Sequence, residues 1–109
     1  MGLPPIGSVV IIAFPFADFR GYKNRPALVV AHAEFNNLVV CHITTNQATS
    51  QNAIRLGVND FLSSGLRIVS YIRPDKLFTL EPSVVQAGAG SITPAKLTEV
   101  KKTLQSLFA

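Results

Sequence analysis

The sequence predicts a mainly β fold closed by one C-terminal helix: a small antiparallel barrel or strongly bent sheet. Three observations carry this. Short runs dense in β-branched residues follow one another along most of the chain, separated by polar or turn-forming stretches. Only the last fifteen or so residues carry a helical period, so the crossover helices of a parallel βαβ fold are missing. At 109 residues, 48% of them hydrophobic and 15% charged, the chain has the size and composition of one compact domain, taken as residues 1–109.

Taken in order, Ser8 to Phe14 is the first β run and Pro15 ends it. Ala17 to Asn24 reads as a long loop, polar and cationic, carrying Phe19, Arg20, Tyr22 and Lys23. Ala27 to His32 is the second run, and Pro26 before it fits a strand start or an edge. The Asn36-Asn37 pair marks a turn, and Leu38 to Thr45 is the third run. Asn46 to Asn52 has loop composition, almost all amide and hydroxyl. Weak alternation follows at Ala53 to Val58, turn chemistry at Asn59 to Gly65, and a further strand at Leu66 to Ile72. Arg73-Pro74-Asp75 is expected to break that strand, with a short apolar pattern at Lys76 to Leu80. Pro82, Gly88 and Gly90 punctuate what remains. Leu97, Val100, Leu104, Leu107 and Phe108 form one stripe at helical spacing, with Thr93 as N-cap and Pro94 as first helical residue. This predicts a helix from Pro94 to about Leu107. A helix so short is marginal alone, so the stripe must dock on the sheet or on another subunit.

Ten Lys plus Arg against six Asp plus Glu give a formal charge of +4, which favours an anionic partner. The single cysteine, Cys41, excludes an internal disulfide and a multi-cysteine zinc site. The longest early apolar stretch, Val9 to Phe16, is far short of a membrane span, and no signal-peptide pattern precedes or follows it. A cytoplasmic protein with no membrane contact is expected. There is no glycine-rich phosphate loop, nucleophile elbow or metal motif, and the spacing of His32 and His42 is not that of zinc ligands.

Three clusters can carry chemistry. Arg25, between the long loop and the second run, could bind phosphate through two parallel N–H donors, or be a solvated surface arginine. His42 and Thr44 leave one face of a regular strand, with Val39, Cys41 and Ile43 on the other. Either the His/Thr face lines a groove, or this is ordinary strand amphipathicity. Arg67, Ser70 and Arg73, with Tyr71 near them, could line an anionic groove or protect a sheet edge.

Gly7-Ser8-Val9-Val10, the Phe14-Pro15-Phe16 triplet with Asp18, and above all Lys23-Asn24-Arg25-Pro26-Ala27-Leu28-Val29-Val30 resemble the MazF/PemK family. Val39 to Asn46, Gly65 to Arg73, Asp75-Lys76-Leu77 and the final helix follow in the family's order, so the resemblance covers nearly the whole chain. It implies an SH3-like barrel of the MazF/PemK/CcdB toxin fold. It also implies a homodimeric toxin of a toxin–antitoxin pair that cuts single-stranded RNA, without metal or other cofactor, and binds a cognate antitoxin. The arginine before Pro-Ala and the first threonine after the third strand carry over as the catalytic pair, Arg25 and Thr44. Ser70 stands where some relatives have an acidic residue, and His42 where relatives often have proline. A histidine found in the first loop of some relatives has no counterpart here.

An ordinary arginine does not deprotonate at neutral pH, so Arg25 is assigned to stabilising charge on the scissile phosphate. Thr44 is assigned to donating its hydroxyl to a phosphate oxygen, with Thr45 as support. His42 is the candidate base. Arg20, Lys23, Thr45, Asn46, Arg67, Ser70 and Arg73 are the candidate RNA-binding residues, with Phe19 or Tyr22 offering faces for base stacking. The competing expectation is a non-catalytic toxin of the same fold that binds a protein target such as DNA gyrase.

Overall fold

A computed structural model of the chain describes residues 3–15, 22–46 and 51–109. Among these, seven strands form one sheet in the order β4-β6-β3-β2-β1-β7-β5, and every pairing is antiparallel. The strands are β1 (Ser8–Pro15), β2 (Tyr22–His32), β3 (Leu38–Thr44), β4 (Ile54–Leu56), β5 (Phe61–Ser63), β6 (Ser70–Leu80) and β7 (Val85–Ile92). The helix α1 spans Pro94–Leu107, as its apolar period predicts. Thr93 caps it, its hydroxyl oxygen accepting the Lys96 backbone N–H at 3.2 Å.

The two edge strands reveal the curvature. Ile54 and Leu56 from β4 and Phe61 from β5 share one buried cluster with Val9, Leu28, Cys41, Ile43, Ile72 and Ile92. Strands at opposite edges can meet one core only if the sheet curls, and it does so into a half-barrel. Val100 of α1, with Leu97 and Leu104 beside it, closes this core. A second apolar cluster lies on the other face of the sheet: Val10, Ile12, Ala27, Val29, Leu38 and Val40, with Leu3, Phe78, Leu80, Val84 and Val85 packed against it.

That second cluster adds to what was expected for β3. Val39, Cys41 and Ile43 share one face as expected, but on the His42/Thr44 face Leu38 and Val40 are themselves buried in the second cluster. That face is polar only from His42 onward.

Several boundaries move for reasons visible in the pairing. β2 begins at Tyr22 rather than Ala27, because Tyr22 to Arg25 continue the ladder with β1 as far as Pro15. Pro26 therefore sits inside the strand. Its pairing to β3 starts only at Ala27, so at Pro26 the strand has a neighbour on one side alone. β6 begins at Ser70, not Leu66, and it runs through Arg73-Pro74-Asp75 to Leu80. The expected break survives as a slip in register: Cys41 pairs with Leu77, but His42 pairs with Arg73, so Pro74, Asp75 and Lys76 bulge from the ladder. β5 and β7 were not expected. β5 is three residues inside a stretch of turn chemistry, and β7 contains Gly88 and Gly90, with Gly90 at φ +102° where its ladder with β1 is irregular.

Candidate active site

One face of the sheet gathers the chemistry. On the β2–β3 ladder the last pair is Ala27 with His42. Two residues further on each strand stand Arg25 and Thr44, on the same face as His42 and opposite one another if the ladder is continued. Across β6, His42 pairs with Arg73 and Thr44 with Tyr71; beyond that, Tyr71 pairs with Arg55 of β4. The intervening residues Ile43, Ile72, Ile54 and Leu56 fill the core. Six side chains from four strands thus share a surface: Arg25, His42, Thr44, Tyr71, Arg73 and Arg55.

Their electrostatics follow from this crowding. Arg73 grips Asp75 with two parallel hydrogen bonds, Nε to Oδ1 at 3.2 Å and Nη2 to Oδ2 at 2.7 Å. Asp75 lies within the bulge that follows Arg73. The Arg73 hydrogen bonds hold the Asp75 carboxyl below the usual carboxylate range. His42 is pushed below the ordinary imidazole value, first by burial and then by the Lys76, Arg73 and Arg25 cations, while Asp75 pulls the other way. At neutral pH the His42 ring is therefore neutral and able to accept a proton.

Thr44 is held by its own turn. Its Oγ1 accepts the Asn46 backbone N–H at 3.2 Å, which occupies a lone pair and leaves the hydroxyl proton to be donated outward. The Asn46 backbone thus supports Thr44, and Thr45 next to it is exposed at the strand exit.

Of the expected residues, Arg25, His42, Thr44 and Arg73 come together. Ser70 does not: it is buried, and its hydroxyl donates to the Ile68 carbonyl at 2.9 Å on the core side of β6. Arg67 is exposed on the loop before β6 and lines a separate cavity of about 500 Å³ with Val58, Ser64, Gly65 and Leu66. Thr45 and Asn46 lie just beyond Thr44. Lys23 and Tyr22 are placed on β2 by backbone alone, and Phe19 and Arg20 fall outside the described residues.

Asp75 and Arg55 had no expected role. The first lies in the bulge, where the Arg-Pro-Asp run reads as a strand break and gives no signal. The Ile54-Arg55-Leu56 alternation signals the second. Burial pushes the Cys41 thiol up to about 12, so it stays protonated within the core. Among the described residues no three of His, Cys, Asp and Glu gather as a metal-ligand set, and no helix is long and apolar enough to cross a membrane.

Residues 6–108 match the family described as PemK-like, MazF-like toxin of type II toxin–antitoxin system. The chain belongs to this toxin family. Solved structures repeat the fold at low identity. The MazE–MazF complex from Deinococcus radiodurans superposes at TM-score 0.77 with 24% identity, covering 99% of this chain and 97% of that one. A mycobacterial endoribonuclease in complex with its cognate antitoxin superposes at TM-score 0.74 with 21% identity, covering 99% and 95%. The same measures for an endoribonuclease from a mycobacterial species are 0.74, 20%, 99% and 93%. No curated protein sequence matches the chain significantly. For this PemK/MazF-like toxin the expected fold class therefore holds.

Proposed function

We propose that the chain is an endoribonuclease toxin that cleaves single-stranded RNA by attack of the RNA's own 2′-hydroxyl, without metal. The observation that carries this is the convergence of Arg25, Thr44, His42 and Arg73 on one face of the sheet, in a family whose solved relatives include endoribonucleases. Neutral His42 accepts the 2′-hydroxyl proton as the 2′-oxygen bonds to phosphorus. Arg25 and the Asp75-braced Arg73 hold the phosphate oxygens, and the Thr44 hydroxyl donates to one of them. The bond from phosphorus to the 5′-oxygen breaks, that oxygen takes a proton from solvent, and the products are a 2′,3′-cyclic phosphate and a 5′-hydroxyl.

The solved complexes with an antitoxin support a cognate antitoxin as protein partner, and the family supports a homodimer acting in the cytoplasm. Incubating the purified chain with a long RNA in EDTA should yield discrete fragments ending in cyclic phosphate. Intact RNA alongside gyrase-linked DNA breaks would replace this reading with that of a gyrase-directed toxin.

A further inference from the structure

We infer that Tyr71 and Arg55, standing in line with Thr44 across β6 and β4, form a shelf that binds the nucleotide next to the scissile phosphate, Tyr71 under its base and Arg55 on its phosphate. The inference rests on the cleavage reading above and extends it to affinity and substrate preference. Thr44 pairs with Tyr71, and Tyr71 pairs with Arg55, so the three side chains occupy one row on one face. Adjacent strands are about 4.8 Å apart, which places Arg55 about 10 Å from Thr44, beyond reach of the same phosphate but within reach of its neighbour. Tyr71 between them is half-buried, so part of its side chain is open to a ligand. An aromatic face followed by a cation is the arrangement that grips single-stranded nucleic acid without reading its base edges.

Arg55 does not look like a charge that merely guards a sheet edge. Its neighbours Ile54 and Leu56 point into the core, and the strand is three residues long, too short to need guarding. Two residues further on, Gly57 has φ −100° and ψ 177°, a conformation open to any residue. A Cβ there would come within 3.0 Å of the Arg55 Nη1 and 3.5 Å of its Cζ. The guanidinium thus lies over Gly57, in space that a side chain there would contest. A planar guanidinium can meet phosphate oxygens through parallel N–H donors.

The test is steady-state cleavage of a short single-stranded RNA carrying one cut site, across a range of salt, by the full chain. Arg55→Ala should raise KM about tenfold, leave kcat within about twofold, and make the salt dependence of binding shallower by about 0.7 in log–log slope, the loss of one phosphate contact. Tyr71→Ala should raise KM by about 5- to 100-fold, and Tyr71→Phe should restore most of it because the stacking face remains. Gly57→Ala need only push aside the end of a flexible side chain, so it should fold as the parent does and reproduce part of the Arg55→Ala change. Unchanged KM and salt slope in Arg55→Ala, with the parent chain cutting RNA, would overturn the shelf alone. A parent chain that cuts no RNA under any of these conditions would take the cleavage reading down with it.

Discussion

The same two strands, β3 and β6, do two different jobs on either side of a three-residue bulge. From Leu38 to Cys41, paired with Leu80 to Leu77, nearly every side chain serves packing: Leu38 and Val40 in one cluster, Cys41 in the other, with Leu77, Phe78 and Leu80 against them. From His42 to Thr44, paired with Arg73 to Tyr71, one face remains core through Ile43 and Ile72 and the other becomes polar. The bulge of Pro74, Asp75 and Lys76 lies at the border. It shifts the register, seats Pro74 in the interior, and supplies both the carboxylate that braces Arg73 and a cation beside His42. A sheet packed on both faces cannot bind anything; the slip is where the second apolar layer ends and a surface begins.

The two halves should therefore fail in different ways. Thr44→Val, or Arg25→Ala, removes a group aimed at the phosphate and should lower kcat by about 10²- to 10³-fold while thermal unfolding stays within a few degrees of the parent. Leu38→Ala, in the packed half, should do the reverse. It should cost about 2–5 kcal/mol in urea unfolding, the range for emptying a fully buried leucine site, with kcat per folded molecule unchanged. A Thr44→Val chain that cuts RNA at the parent rate would remove Thr44 from the mechanism.

The border itself is best probed by pH. His42 lies below the ordinary imidazole value, so cleavage should hold from neutral pH down past about 6.5 and fall on an acid limb below it. Asp75 raises the affinity of His42 for a proton; Lys76, Arg73 and Arg25 lower it. Asp75→Asn should move the acid limb to still lower pH, while kcat on the plateau drops because Arg73 loses its brace. Stability has a matching sign. A histidine depressed in the folded state is more readily protonated once unfolded, so its contribution is whole above about 6.5 and is lost as pH falls toward the folded value. Asp75, also depressed, contributes above its ordinary carboxylate value and loses that contribution under stronger acid. Urea midpoints at pH 7.5 and 5.0 should therefore differ less in His42→Gln than in the parent.

How much of this was legible in the sequence divides along the same border. The helix was legible because period, cap and Pro94 are all local, and they agree. The His42/Thr44 face was legible because alternation within one strand needs no partner. Arg25 opposite Thr44 was not, since that juxtaposition depends on the register of β2 against β3, a long-range fact. The tie from Arg73 to Asp75 was hidden for a related reason: proline reads as the end of a strand, whereas the length of the slip is decided by where Leu77 finds Cys41. Ser70 misled because Leu66 to Val69 are not strand, and only pairing with Leu56 shows that Ser70 faces inward. β7 was obscured by two glycines and by the exposed run Gln86 to Gly88, which carries no apolar alternation.

The last comparison concerns the final residue of the packed half. Cys41 is fully buried, and its thiol is pushed up to about 12 by burial first and by Asp75 second. Two barriers then protect it: almost no thiolate at pH 8, and no path for a reagent while the strands are paired. Labelling by an alkylating reagent requires an opening, and the opening can be of two kinds. If the chain exposes Cys41 only by unfolding as a whole, the labelling rate should fall in step with every gain in global stability, so Leu38→Ala should accelerate it by the full factor of its destabilisation. If the slip at Pro74–Lys76 lets β6 peel from β3 locally, labelling should be faster than global unfolding permits. The packing argues for the first outcome. Cys41 shares its cluster with residues of β1, β2 and α1, none of which pairs with β6, so releasing β6 still leaves it covered.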